Sequence, residues 1–83
     1  MDKKLKDNQL NIELTKDEAI VLFEFLGWFN EKEEDNFFED QSEKRVLWNI
    51  ECILEKELSE PFKKDYNDIL KLARENVRNK ETE

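Results

Sequence analysis

Ala19-Ile20-Val21-Leu22-Phe23-Glu24-Phe25-Leu26-Gly27-Trp28-Phe29 reads as a helix that is apolar almost all the way round. At about 100° per residue, Leu22, Phe25, Leu26 and Phe29 cover one side. Val21 and Trp28 fall on the other, with Ile20 and Phe23 toward the flank. Only Asp17 and Glu24 mark a narrow polar strip. Such a helix must be wrapped by protein or membrane. A chain of 83 residues holds few neighbours to wrap it, so part of this surface points outward to a partner.

Thr15 followed by Glu18 is a capping box, which starts the helix at about Lys16; the apolar run carries it to about Asn30. Gly27, the only glycine, lies inside and costs about 1 kcal/mol relative to alanine. Close approach of a second helix is the reason expected for it. Upstream, Leu10, Ile12 and Leu14 alternate with Asn11 and Glu13, the period of a half-buried strand. No second strand-like run is evident, and extended backbone needs partners. Residues 10–14 therefore either pack on the helices as a simple extended segment or pair with their copy in a second chain.

A second helix is expected over about 40–58, with Val46, Leu47, Ile50, Ile53, Leu54 and Leu58 on one face. Trp48 and Cys52 lie opposite, so this helix is covered on two sides or exposes a tryptophan. Pro61 disfavours helical geometry just before itself and ends the run. Asp65, with Asp68 three residues on, can cap a third helix over about 65–78. Its inward stripe is Tyr66, Ile69, Leu70, Ala73 and Val77, with Leu72 at the margin. The fold expected is an all-α, three-helix domain with a short extended N-terminal segment (about 10–14), the first helix being central. Residues 9–78 form the domain, and 1–8 and 79–83 are flexible ends.

Charged residues make up 43% of the chain and the net charge is −8, which raises the possibility of disorder. The apolar residues fall in three periodic blocks, however, and that argues for a folded domain in a charged shell. Residues 13–60 carry 15 Asp/Glu against 5 Lys/Arg, whereas 61–80 carry 6 Lys/Arg against 3 Asp/Glu. The acidic middle repels nucleic acid and attracts a basic protein surface. A single cysteine excludes an internal disulfide. Lys3, Lys4 and Lys6 lead into polar residues rather than the apolar run of a signal peptide. Block 19–29 is shorter than the roughly 20 apolar residues that span a bilayer. A cytoplasmic protein without a membrane segment is the expectation.

Little in the chain speaks for catalysis. There is no histidine, which removes the commonest general base and metal ligand. Cys52 sits mid-helix beside Glu51 and Glu55, carboxylates that disfavour a thiolate. The tract Glu31, Glu33, Glu34, Asp35, Glu39, Asp40 and Glu43 lacks the glycine-centred alternation of a calcium loop and reads as solvated acid. One glycine rules out a phosphate-cradling loop, and nothing predicts a pocket for paired carboxylates. The ridge Lys71, Arg74 and Arg78 is a weak nucleic-acid signal on an acidic protein. No cofactor, metal or catalytic residue is expected.

Leu14-Thr15-Lys16-Asp17-Glu18-Ala19-Ile20-Val21-Leu22-Phe23-Glu24-Phe25-Leu26, then Val46-Leu47-Trp48, then Glu60-Pro61-Phe62, resemble a group of short acidic bacterial proteins of uncharacterised function. The similarity covers residues 14–78. It implies a bacterial cytoplasmic setting and a self-contained domain, and it carries over no activity or functional residue.

Exposed tryptophan and phenylalanine beside charge are favoured contact material. The candidate partner-binding residues are Trp28, Asp35, Phe37, Phe38, Glu39, Asp40, Glu43 and Trp48. Carboxylates from Asp35 to Glu43 would steer a basic protein, and the aromatics would anchor it. The expected function is a non-enzymatic interaction module of immunity, antitoxin or adaptor type that forms a homodimer. The alternative is an acidic nucleic-acid mimic that inhibits a DNA- or RNA-handling enzyme.

Overall fold

Thr15 and Glu18 start the first helix, α1 (Lys16–Asn30), through a reciprocal pair of hydrogen bonds. The Glu18 amide donates to Thr15 Oγ1 at 3.1 Å, and the Thr15 amide donates to Glu18 Oε1 at 2.9 Å. The computed structural model describes residues 9–32 and 37–80. Asp40 caps the second helix, α2 (Gln41–Glu57), accepting from the Ser42 amide at 2.8 Å. A single 3₁₀ turn, Glu60–Phe62, carries Pro61 in its first positions. The third helix, α3 (Tyr66–Lys80), follows, and the Asp65 carbonyl accepts from the Ile69 amide at 3.1 Å.

Three helices and no strand among the described residues make this an all-α, three-helix domain. The first two helices fall where the sequence puts them. The third runs to Lys80, so Asn79 and Lys80 are helical rather than part of a flexible end. The expected flexibility of residues 1–8 and 81–83 lies outside the described residues.

Both later helices pack on α1, and both run antiparallel to it. Asn30 Nδ2 donates to Glu51 Oε1 at 2.7 Å, and Lys16 Nζ meets Glu60 Oε2 at 3.0 Å just past the end of α2. On the other flank, Asn76 Nδ2 donates to Asp17 Oδ2 at 2.9 Å, and the Tyr66 hydroxyl donates to Glu24 Oε1 at 3.0 Å. The narrow polar strip of α1 is thus the edge that faces α3. Ile20, one turn from each acid, is only 2% exposed between them. The two carboxylates can border a buried contact because each accepts a hydrogen bond there.

The core is Ile20, Leu26, Leu54, Leu58, Leu70 and Ala73, with Leu22, Phe23, Leu47, Ile50, Tyr66 and Ile69 partly buried around it. Two expected stripe residues of α2 stay outside: Val46 is 54% and Ile53 59% exposed. The apolar face of α2 is wider than one helix can cover, and α3 packs on α1 instead of closing over it. Leu72 of α3 is exposed as well.

Two further expectations change. A Cβ built on Gly27 would meet only Glu51 Oε2, at 3.6 Å, an ordinary contact. The glycine is therefore not demanded by a close helix approach, and its φ is not positive. Residues 9–15 form neither helix nor strand, and Leu10 and Ile12 are 92% and 81% exposed. That segment does not pack on the helices of its own chain.

Candidate functional site

The far end of α1 carries most of the aromatic residues, because α2 overhangs it. Asn30, the last residue of α1, lies opposite Leu47 and Glu51. At about 1.5 Å per residue, the segment from Gln41 to Val46 extends α2 some 8 Å past that point. Among the described residues no helix backs the overhang, and Phe37 and Phe38, just ahead of α2, pack on Phe29 in the corner.

Phe29 is the hub of this corner. Its ring lies 5.6 Å from Phe25 in a stacked arrangement, 5.9 Å from Phe37 and 5.8 Å from Phe38, the last edge-on. Trp28 touches both Phe25 and Phe29, with ring centroids 5.7 and 6.4 Å apart. Lys32 Nζ stands 4.5 Å over the Trp28 ring, a cation–π contact. Offset and edge-on rings at these spacings attract beyond simple burial. Phe25, Trp28 and Phe37 nonetheless remain more than half exposed, so the cluster holds its own shape while presenting apolar faces to solvent.

Between this cluster and α2 runs an open groove of about 540 Å³ lined by Phe29, Phe37, Phe38, Ser42, Glu43, Val46 and Leu47. A second groove, of about 790 Å³, is bounded by Asn30, Gln41, Ser42, Lys44, Arg45 and Trp48. The sequence-predicted residues therefore divide in two. Trp28, Phe37, Phe38 and Glu43 gather at the aromatic corner. Trp48, 54% exposed, sits in the second groove beside Lys44 and Arg45. Asp35, with Glu33 and Glu34, lies outside the described residues.

The acids near the corner also start α2. Asp40 is its N-cap, and the Ser42 side chain and then the Ser42 amide hold its carboxyl below the usual range. Glu43 Oε1 accepts from the Glu39 amide at 3.0 Å. All three residues are exposed, so they carry their charge at the surface while fixing the helix start.

Sequence reasoning missed Phe25 and Val46 as contact candidates. Helical periodicity placed both on covered stripes, and only the lengths of the covering helices reveal their exposure. It also missed Asn30, whose side-chain amide ties α1 to α2 by two hydrogen bonds while its Oδ1 is buried with no partner among the described residues. On the opposite flank, burial, then the hydrogen bond and charge of Glu24, push the Tyr66 hydroxyl up to about 12, against a smaller opposing pull from Arg74.

Among the described residues no group of three or more Cys, Asp or Glu side chains is placed to hold a metal ion. No helix there is long and apolar enough to cross a membrane. Cys52 is half-buried on α2. No protein family, curated protein or solved structure matches the chain.

Proposed function

We propose that this chain is a non-enzymatic protein-interaction module, of immunity, antitoxin or adaptor type, that engages a basic partner through its aromatic and acidic surface and itself forms a homodimer. The single observation behind this reading is the corner around Phe29, where five aromatic rings pack together and Phe25, Trp28 and Phe37 still stand more than half exposed. Pre-packed rings lose little freedom on binding, which suits them as anchors. Glu39, Asp40 and Glu43 beside them supply the field that attracts cations. A bacterial, cytoplasmic setting is part of the proposal and rests on the resemblance of residues 14–78.

The nucleic-acid mimic needs carboxylates alone, and the rings would be idle in it. Exposed aromatics between the acids favour the protein partner.

Affinity capture from the native host, with partners identified by mass, tests the reading. Phe37→Ala and Trp28→Ala remove exposed rings without touching the six core residues. Each should weaken the captured complex by roughly tenfold or more, and added salt should slow association. Recovery of this chain alone refutes it. A partner whose binding ignores both ring truncations but disappears on charge reversal at Glu39, Asp40 and Glu43 would favour the mimic.

A further inference from the structure

Two heptad seams run side by side along α1 and α2. On α2, Glu43, Val46, Ile50, Ile53 and Glu57 follow one another in alternating steps of three and four residues. At about 100° per residue they fall within an arc of about 80°. On α1, Glu18, Leu22, Phe25 and Phe29 keep the same spacing within about 60°. Phe29 and Val46 line one groove, so both seams edge the same side of the helix pair. Asn30, hydrogen-bonded to Leu47 and Glu51, sets the register; at about 1.5 Å per residue it brings Phe25 nearly level with Ile53. Phe25, Val46 and Ile53 are more than half exposed, and Leu22, Phe29 and Ile50 are half-buried. The third helix lies on the other flank of α1, at Asp17 and Glu24, so no described helix covers the seams.

Shape and charge together describe what fits there. Two antiparallel helices with apolar seams on one side form a trough that a third helix can fill. From Glu43 to Glu57 the trough runs about 21 Å, close to four helical turns. Its middle is apolar. Glu43 closes one end, and Glu57 and Glu18 close the other. The cations of α2, Lys44, Arg45 and Lys56, fall outside the 80° arc, and Lys32 stands over Trp28 at the margin. Acid at both ends calls for base at both ends of the occupant. The same face of a second copy would set Glu43 and Glu57 against carboxylates in either orientation. The basic ridge of α3, Lys71, Arg74 and Arg78, does not qualify either, because Leu70 and Ala73 of that helix are already buried in the core.

We infer that the trough between α1 and α2 takes an amphipathic helix of the partner protein, about four turns long. That helix carries apolar residues at heptad spacing and lysine or arginine at both ends. Its apolar stripe seats on Phe25, Val46 and Ile53, and its end cations meet Glu43 on one side and Glu18 with Glu57 on the other. The inference rests on the interaction-module reading above and names the partner's recognition element. It also extends the contact surface beyond the Phe29 corner, along α2 as far as Glu57.

Fluorescence titration of the full chain tests this. In a Trp48→Phe background Trp28, at the margin of the trough, is the only tryptophan, so its emission reports binding. The probe is a peptide of about 18 residues with leucine at heptad positions a and d and lysine elsewhere. In physiological salt it should bind roughly tenfold or more tightly than a scrambled peptide of the same residues, and it should gain helical circular dichroism. Ile53→Lys changes an exposed side chain and should leave the protein's own circular dichroism unchanged while weakening binding by roughly tenfold or more. The double variant Glu43→Lys, Glu57→Lys should weaken it similarly. Equal binding of ordered and scrambled peptides, or indifference to Ile53→Lys, overturns the inference. So does equal binding of a leucine–glutamate peptide of the same pattern, or a dimer of this chain that Ile53→Lys dissociates. A native partner lost on Phe37→Ala but kept on Ile53→Lys would sink the helix and leave the proposed function standing.

Discussion

Replacing Gly27 by alanine should stabilise the protein. Glycine in a helix interior is about 1 kcal/mol less favourable than alanine, because it loses more backbone freedom on folding. Gly27 is twelfth of the fifteen residues of α1, inside the helix at the start of its last turn. The added methyl would find a single neighbour, Glu51 Oε2 at 3.6 Å, which is van der Waals contact without overlap. Glu51 would keep its hydrogen bond to Asn30, since that bond uses the other oxygen, Oε1. With no clash to subtract, the net gain should be about 0.5–1 kcal/mol. For a chain of this size that raises the thermal midpoint by about 2–8 °C. With a urea slope of about 1 kcal/mol/M, the urea midpoint should rise by about 0.5–1 M. Circular dichroism at 222 nm, with both proteins at one concentration, reads either shift. A midpoint that falls would refute the reasoning and mean that α2 lies closer to α1 than the Glu51 contact implies.

Leu54 and Ile53 share the apolar stripe of α2 by periodicity, yet Leu54 is 8% and Ile53 59% exposed. Leu54→Ala should cost about 2–5 kcal/mol, whereas Ile53→Ala should stay near 0.5 kcal/mol or below; equal losses in urea titrations would contradict the packing. Tyr66 is the only tyrosine, so absorbance at 295 nm reports its ionisation alone. In the folded protein the midpoint should lie near 12, against an ordinary value of about 10. Glu24→Gln should bring it down toward that value. Because the folded phenol is the harder to ionise, its contribution to stability is fully present below pH 10. Above that the unfolded chain loses its proton first, and the contribution fades as pH rises toward 12. A wild-type midpoint at 10 with native circular dichroism would refute the contact with Glu24.

Helix positions were readable because their signals are local. A threonine three residues before a glutamate, an aspartate two before the Ser42 amide it accepts from, and a proline after Ser59-Glu60 each act within one turn of the residue they control. Which face of a helix is covered is not a local property. Periodicity grouped Val46 with Leu54, but burial was decided by where α1 stops, and Asn30 stops it opposite Leu47. The same holds for Asp17 and Glu24, a narrow polar strip in sequence whose partners, Asn76 and Tyr66, lie some 40 to 60 residues later. The third helix outlasted its apolar stripe by three polar residues, just under one turn, for a related reason. Polar sequence such as Arg78-Asn79-Lys80 is no obstacle to helix, only to burial. Of the candidate site, the aromatic content was visible in sequence, but its division into a Phe29 corner and a Trp48 groove depends on the overhang of α2.

That overhang follows from helix lengths. A helix with apolar residues on nearly every side needs cover all round, and this domain offers α1 two antiparallel neighbours. The N-terminal half of α1 is served by both: α3 through Asn76 and Tyr66, and the end of α2 with the Pro61 turn through Lys16 and Glu60. Beyond Glu24, α3 has run out, because it begins at Tyr66. Only α2 continues, and one helix cannot shield Phe25, Trp28 and Phe29 together. Phe37 and Phe38 of the connection partly substitute for the missing neighbour by packing on Phe29, but Phe37 is itself 58% exposed. Lengthening α3 at its N-terminus by two turns would have covered the rings, and Pro61 with the turn after it stands in the way. Among the described residues the uncovered end of α1 thus follows from the position of one helix break, and it is the surface that the proposed partner would cover.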